Sequence, residues 1–218
     1  MKPTNRYIVK KGKKLRFGYT TGSCATAATK AAALALFHDI TLEEVEIDTP
    51  KGWVIKLKVE DLKQGNGWAK CGVTKDGGDD PDVTTGLVIY SKVEKISGDD
   101  IILTAGQGVG VVTKPGLQIK PGEPAINPIP KAMIKKEISK VLPPGQGAKI
   151  TLTIPGGEKV AKRTFNPKLG IEGGISIIGT TGIVEPMSTQ ALKDTLACEL
   201  SILAAQGHKY VILVPGNY

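Results

Sequence analysis

The sequence predicts an α+β fold: a strand-rich mixed-sheet body with an alanine-rich helix, followed by the start of a Rossmann-like parallel βαβ unit. Three observations carry this. Short alternating apolar stretches punctuated by Gly, Asp and Pro fill the first two thirds of the chain. Seven alanines crowd residues 25–35. An apolar run ending at Ile178 leads through glycines and threonines into a leucine pattern of helical spacing, and then into a second apolar run at 210–214.

Taken in order, FGYTTGSC at 17–24 opens the alanine helix, which runs to about Leu36, with Thr21 or Ser23 as its cap. Residues 45–47, 54–59, 68–73, 87–93 and 101–104 read as antiparallel or mixed strands. Pro130 suits the first turn of a second helix, Met133, Ile134, Ile138 and Val141 line one face of it, and Pro143 lies past its end. A strand at 149–154 precedes a Pro155-Gly156-Gly157 turn. Asn-Pro and paired glycines place a connector at 166–174, dividing a domain of residues 1–165 from an incomplete α/β domain of residues 166–218.

In that second part Ile175, Ile177 and Ile178 suit a buried strand, and Gly179, Thr180, Thr181 and Gly182 make the loop. Ser188 caps the next helix, Leu192, Leu196, Leu200 and Leu203 line it, and Gly207 stops it. A right-handed crossover would bring the 179–182 loop and Pro215, Gly216 and Asn217 to one sheet edge. Ligands of open parallel sheets bind at such an edge, although both loops also read as plain tight turns.

Composition narrows the function classes. The 218 residues carry a formal charge of +8, with 26 lysines and only Arg6, Arg16 and Arg163 as arginines. Such a field attracts anions. Aromatics are 5% of the chain, with no RNP pattern, zinc finger or basic recognition helix, so a small polycarboxylate fits as well as nucleic acid. Solvated lysines that only maintain solubility are the plain alternative. Cys24, Cys71 and Cys198 are too widely spaced for a zinc motif, and two histidines make a histidine-rich metal site improbable. No apolar run has membrane-spanning length, and the basic residues 2–16 lack a signal-peptide core, which points to a cytoplasmic protein.

Individual motifs suggest chemistry. The start of the alanine helix offers unpaired N–H groups to a carboxylate or phosphate, through Thr20, Thr21, Gly22 and Ser23. Walker A spacing is absent. Cys24 is either a low-pKa thiol in the first turn or a small buried side chain. Asp76, Asp79, Asp80 and Asp82 fall within seven positions, yet the EF-hand pattern fails at Pro81 and Leu87. They form an acidic turn, or one of them titrates high and accepts a proton. GQGVG at 106–110 reads as a turn between strands, with Val111 and Val112 continuing as strand, and Asn127 as a turn residue within reach of a ligand.

Together, GYTTGSCATAATKAA at 18–32, KDGGDDPDVTTG at 75–86, GQGVGVVTKPGL at 106–117, AINPIP at 125–130 and TFNPKLGIEGGISIIGTTGIVEPMS at 164–188 resemble the cobalt-precorrin-5B C1-methyltransferase family, CbiD. The resemblance runs from about Leu15 to Tyr218 and implies a chain that stops within its second, Rossmann-like part. It implies S-adenosyl-L-methionine-dependent methylation of a corrinoid that brings its own cobalt, with no protein-bound metal. With the cofactor at the sheet edge, Gly179, Thr180, Thr181, Gly182, Glu185, Gly216 and Asn217 are the expected cofactor contacts. Thr20, Thr21, Gly22, Ser23 and Asn127 are the expected substrate contacts, the first four taking a carboxylate of the corrinoid or of the methionine moiety, and Asp79, Asp80 or Asp82 is the expected proton acceptor or a further cofactor contact. A basic polyanion- or RNA-binding module is the competing reading, and a sugar or mevalonate-type kinase a further one. Exposed apolar surface on an incomplete sheet would favour homo-oligomers.

Overall fold

The computed structural model describes residues 6–212 and Val214. It opens with a hairpin of β1 (Tyr7–Lys10) and β2 (Lys13–Arg16), closed by Lys11 and Gly12. Both turn residues have positive φ, 47° and 74°, as a two-residue type I′ turn requires. After β3 (Gly18–Tyr19) comes α1 (Thr21–His38), then β4 (Glu44–Asp48), β5 (Val54–Lys58), β6 (Glu60–Gly65), β7 (Trp68–Thr74) and the long β8 (Val88–Ala105). Short β9 (Gly108–Val109) and β10 (Val111–Val112) lead to α2 (Pro128–Ser139), β11 (Gln146–Thr153) and α3 (Gly157–Ala161). The chain continues through β12 (Ile171–Glu172), β13 (Gly174–Ile175), β14 (Ile183–Val184) and α4 (Thr189–Ala205).

The main sheet has the order β11-β8-β7-β6. The two strands expected at 87–93 and 101–104 are arms of the single ribbon β8, which folds back near Gly98, so that Ile150 lies opposite both Val93 and Leu103. A Cβ at Gly147 would sit 2.8 Å from the Gly98 and Asp100 carbonyl oxygens, which is why the crossing point is glycine. Alternation sorts β5 cleanly, with Ile55 and Leu57 buried and Val54, Lys56 and Lys58 exposed.

α1 lies between this sheet and α2, buried on most of its circumference. Its alanines allow close approach, and its polar residues are satisfied locally. Thr29 Oγ1 donates to the Ala25 carbonyl and bonds Ser91 Oγ at 2.9 Å, while the Cys71 thiol meets the Ala28 carbonyl. Glu137 of α2 is only 1% exposed and holds Lys30 of α1 at 2.8 Å and Lys140 beside it. Burial alone would raise its carboxyl, but the two ammonium groups outweigh that and hold it below the usual range.

Residues 166–184 are woven back into the body. β12 pairs with β10, β13 runs parallel to β9, and β14 pairs with β3. Ile175, Ile177 and Ile183 join the same core as α1 and the main sheet. The first strand of the expected βαβ unit is thus parallel, but its partner comes from the body. The second strand is corrected: Tyr210, Val211, Ile212 and Val214 lie outside any strand and are exposed, Leu213 being outside the described residues. No described strand stands beside them to take their backbone groups. The α4 helix has its Ser188 cap and its Gly207 stop, but of its residues only Ile202 is buried, and Leu192, Leu196 and Leu200 face solvent. The hairpin β1–β2, strand β6 and helix α3 were not anticipated, because two are highly charged and the third is a single turn.

Candidate active site

The motifs that are scattered along the sequence meet at the N-terminal end of α1. β3 leads into this helix and pairs antiparallel with β14, Tyr19 opposite Ile183 and Gly18 opposite Val184. The 176–182 segment therefore wraps the start of α1. The Gly22 amide donates to the Ile178 carbonyl at 2.9 Å, Ser23 Oγ to the Gly182 carbonyl at 2.6 Å, and Thr21 Oγ1 to the Ser176 carbonyl at 3.0 Å. Thr20 is the N-cap, its side chain accepting from the Ser23 amide.

This geometry alters the expected role of one motif. Two amides of the first turn are already engaged, Gly22 by the Ile178 carbonyl and Ser23 by the Thr20 side chain. Thr21, Gly22 and Ser23 are buried and hold the loop. A Cβ at Gly22 would lie 2.8 Å from Pro130 Cγ and 3.0 Å from the Ile178 oxygen, so α1, α2 and the loop touch at that point. Asn127 caps α2 with its backbone amide on the Ile177 carbonyl at 3.0 Å, and its side chain makes no capping bond.

What the clasp presents outward is Ile178, Thr180 and Thr181, all exposed. Thr181 Oγ1 donates to the Ile183 carbonyl at 3.0 Å, and its own carbonyl accepts from the Lys51 amide at 3.1 Å. The Thr180 hydroxyl has no intramolecular partner among the described residues. Glu185 lies half-buried next to this loop, held by Lys10 at 2.9 Å and Lys51 at 3.9 Å. Gly216 and Asn217 lie outside the described residues.

The acidic run folds over β3. The Tyr19 amide donates to the Asp76 carbonyl at 2.7 Å, and the Asp79 amide to the Arg16 carbonyl at 3.0 Å. Every acid in it has a partner. Arg16 holds Asp76 through two bonds of 2.8 Å. Asp79 accepts from the Arg16 amide at 2.6 Å, and Asp80 from the Met187 amide at 2.9 Å. Asp82 takes the Lys75 ammonium and both the amide and the hydroxyl of Thr84. Crowding does not raise Asp76 or Asp82. Burial pushes Asp76 and Asp82 upward, but Arg16 and Lys75 with their hydrogen bonds outweigh it, and both titrate below the usual range. Cys24 is fully buried and its thiol is pushed up to about 12 by desolvation, so it packs rather than reacts.

Sequence reasoning missed the cations beside the loop. Arg6 stacks on the Trp53 ring at 4.0 Å, and Lys51 lies 5.0 Å from the same ring and 5.2 Å from Phe17. The acid-free run of basic residues from Arg6 to Arg16 was the available signal. Among the described residues no group of three or more His, Cys, Asp or Glu could hold a metal ion.

Comparison with known proteins fits this convergence. The CbiD family profile matches residues 8–186. The cobalt-precorrin-5B C(1)-methyltransferase of Thermoanaerobacter sp. (strain X514) is 64% identical over 97% of this chain and 58% of its own length. That of Alkaliphilus metalliredigens (strain QYMF) is 59% identical over 98% of this chain and 56% of its own length. A crystal structure of the cobalamin biosynthesis protein cbiD from Archaeoglobus fulgidus superposes with a TM-score of 0.63 at 35% identity, over 88% of this chain and 62% of that one. The chain thus spans a little over half the length of the curated relatives it matches. With a profile covering most of its residues, and its separate motifs gathered at the start of one helix, the chain belongs to the CbiD family.

Proposed function

We propose that this chain forms part of a cytoplasmic S-adenosylmethionine-dependent methyltransferase that methylates C1 of cobalt-precorrin-5B in anaerobic cobalamin biosynthesis. The observation that carries the reading is the 64% identity with a relative of that name over nearly the whole chain. A sulfonium donor supplies an already activated methyl group, so the chain's own task is to hold and align the two reactants. The exposed Thr180 and Thr181 and the tight turns at Gly179 and Gly182 support a cofactor contact at this loop, with Glu185 at its border. Thr20, Thr21, Gly22 and Ser23 act in this reading by holding the loop, and Asn127, with its side chain uncommitted, is the remaining substrate contact. No helix among the described residues is long and apolar enough to cross a membrane.

Calorimetric titration with S-adenosylhomocysteine tests the cofactor assignment. Saturable binding at one site is expected, weakened about tenfold in Thr180→Ala by loss of one hydroxyl contact. Binding by a full-length relative but not by this chain would move the cofactor site outside these residues, and failure of both would overturn the reading. Asp80→Asn is expected to leave the single-turnover rate unchanged, because the amide oxygen can still accept from Met187. A large loss of rate would assign Asp80 the role of proton acceptor.

A further inference from the structure

Residues 6–16 carry six cations, Arg6, Lys10, Lys11, Lys13, Lys14 and Arg16, and no acid. The register of β1 and β2 places Lys10 directly opposite Lys13, a like-charge pair that weakens a hairpin. The fold nevertheless pins this hairpin against the candidate site. Lys10 Nζ donates to Glu185 at 2.9 Å and to the Pro186 and Met187 carbonyls at 3.0 Å, while Arg16 grips Asp76. Lys51 joins from the neighbouring turn, its amide on the Thr181 carbonyl and its ammonium sharing Glu185 with Lys10.

One carboxylate, Glu185, thus serves two ammonium groups. Arg6, Lys11, Lys13 and Lys14 form no ion pair among the described residues, and Arg6 is instead held on the Trp53 ring. A cation cluster kept together against its own repulsion is complementary to an anion with several charges. The Trp53 ring is occupied by Arg6 and Lys51, and Phe17 meets it edge-on at 5.3 Å, so it offers no stacking platform to nucleic-acid bases.

We propose that Arg6, Lys51 and the β1–β2 hairpin form a recognition edge for the carboxylate side chains of a planar polycarboxylate, whose rim docks beside the Thr180 and Thr181 loop. The identity of that anion rests on the corrinoid reading, whereas the charge complementarity does not.

Titration with uroporphyrin, a planar tetrapyrrole with carboxylates on every ring, tests this at low and high salt. The unsubstituted chain is expected to bind it with an affinity that falls as salt is raised. Arg6→Ala combined with Lys51→Ala is expected to weaken binding about tenfold or more. The combination Lys149→Ala with Lys162→Ala, at exposed lysines of β11 and the end of α3, should leave it within about twofold. Lys13→Glu, at an exposed position without internal bonds, provides the same loss by charge reversal if the double variant does not fold. Equal weakening by the Lys149 and Lys162 pair, or none at Arg6, Lys51 and Lys13, would overturn the recognition edge while leaving the methyltransferase reading to its own S-adenosylhomocysteine titration. Absence of binding by the unsubstituted chain overturns it as well. So does a single-stranded oligonucleotide that binds as tightly through the same cations, which would make the edge a nucleic-acid surface.

Discussion

Gly18→Ala is expected to lower the melting temperature by on the order of 10 °C, and to release the acidic loop from β3. Gly18 and the Gly77–Gly78 backbone lie in direct contact, and an added Cβ would fall on the Gly77 carbonyl carbon, well inside any van der Waals distance. Neither side can give way cheaply. Gly78 has φ +70° and its own Cα faces the Arg16 and Phe17 backbone, while β3 is fixed by pairing with β14. Overpacking typically costs about 1–3 kcal/mol, and separation would add the two backbone bonds from Tyr19 and Asp79, each worth about 1 kcal/mol. Thermal unfolding followed by circular dichroism reads the total. Hydrogen exchange at the Tyr19 and Asp79 amides distinguishes local release from global loss, since both should exchange faster than the amides of β7. An unshifted melting curve would mean that the loop and β3 are not in contact in solution.

Lys75→Met should cost about 3 kcal/mol at neutral pH, and the loss should shrink below about pH 4. The Lys75 side chain is 2% exposed and its ammonium is satisfied by Asp82. Methionine fills similar space but leaves the Asp82 carboxylate half-buried with only the Thr84 bonds. In the native protein the folded Asp82 carboxyl titrates below its unfolded value. Its contribution is therefore complete above the unfolded value and is lost as pH falls through the folded one. In the variant the same carboxyl has burial without the cation, which raises its pKa, and protonation relieves the penalty. Urea unfolding of both proteins at neutral pH and near pH 3 measures the difference. A gap that stays constant across that range would assign the effect to packing around residue 75 instead of to the ion pair. Asp76 and Glu137 also titrate low, so the parent protein should lose stability on acidification in the same window.

Local signals were sufficient for most elements. Alanine density with a Thr-Gly-Ser start defined α1, proline placement and a four-residue face defined α2, alternation defined β4, β5 and β7, and the apolar run before a Pro-Gly-Gly turn marked β11. Ser188 and Gly207 marked α4 because capping depends on residues within a few positions. The long motifs carried the family, since they preserve residue order without reference to space.

The pairing of distant segments was not legible in the same way. Nothing in GTTG states that its carbonyls and turns close over the start of α1, or that the Thr21 and Ser23 hydroxyls donate to the Ser176 and Gly182 carbonyls. The aspartates read as an acidic turn, or as a crowded group with one raised carboxyl, because their spacing along the chain is visible and the positions of Arg16, Lys75 and the Met187 amide are not. The leucines of α4 gave a correct helix and no information about what covers them. Chemical type and local conformation were thus set by neighbours a few residues away, whose interactions recur at fixed spacing. Which hydroxyls are free, which carboxylates are neutralised and which cations face outward depends on contacts between segments far apart in sequence, formed only once the core brings them together.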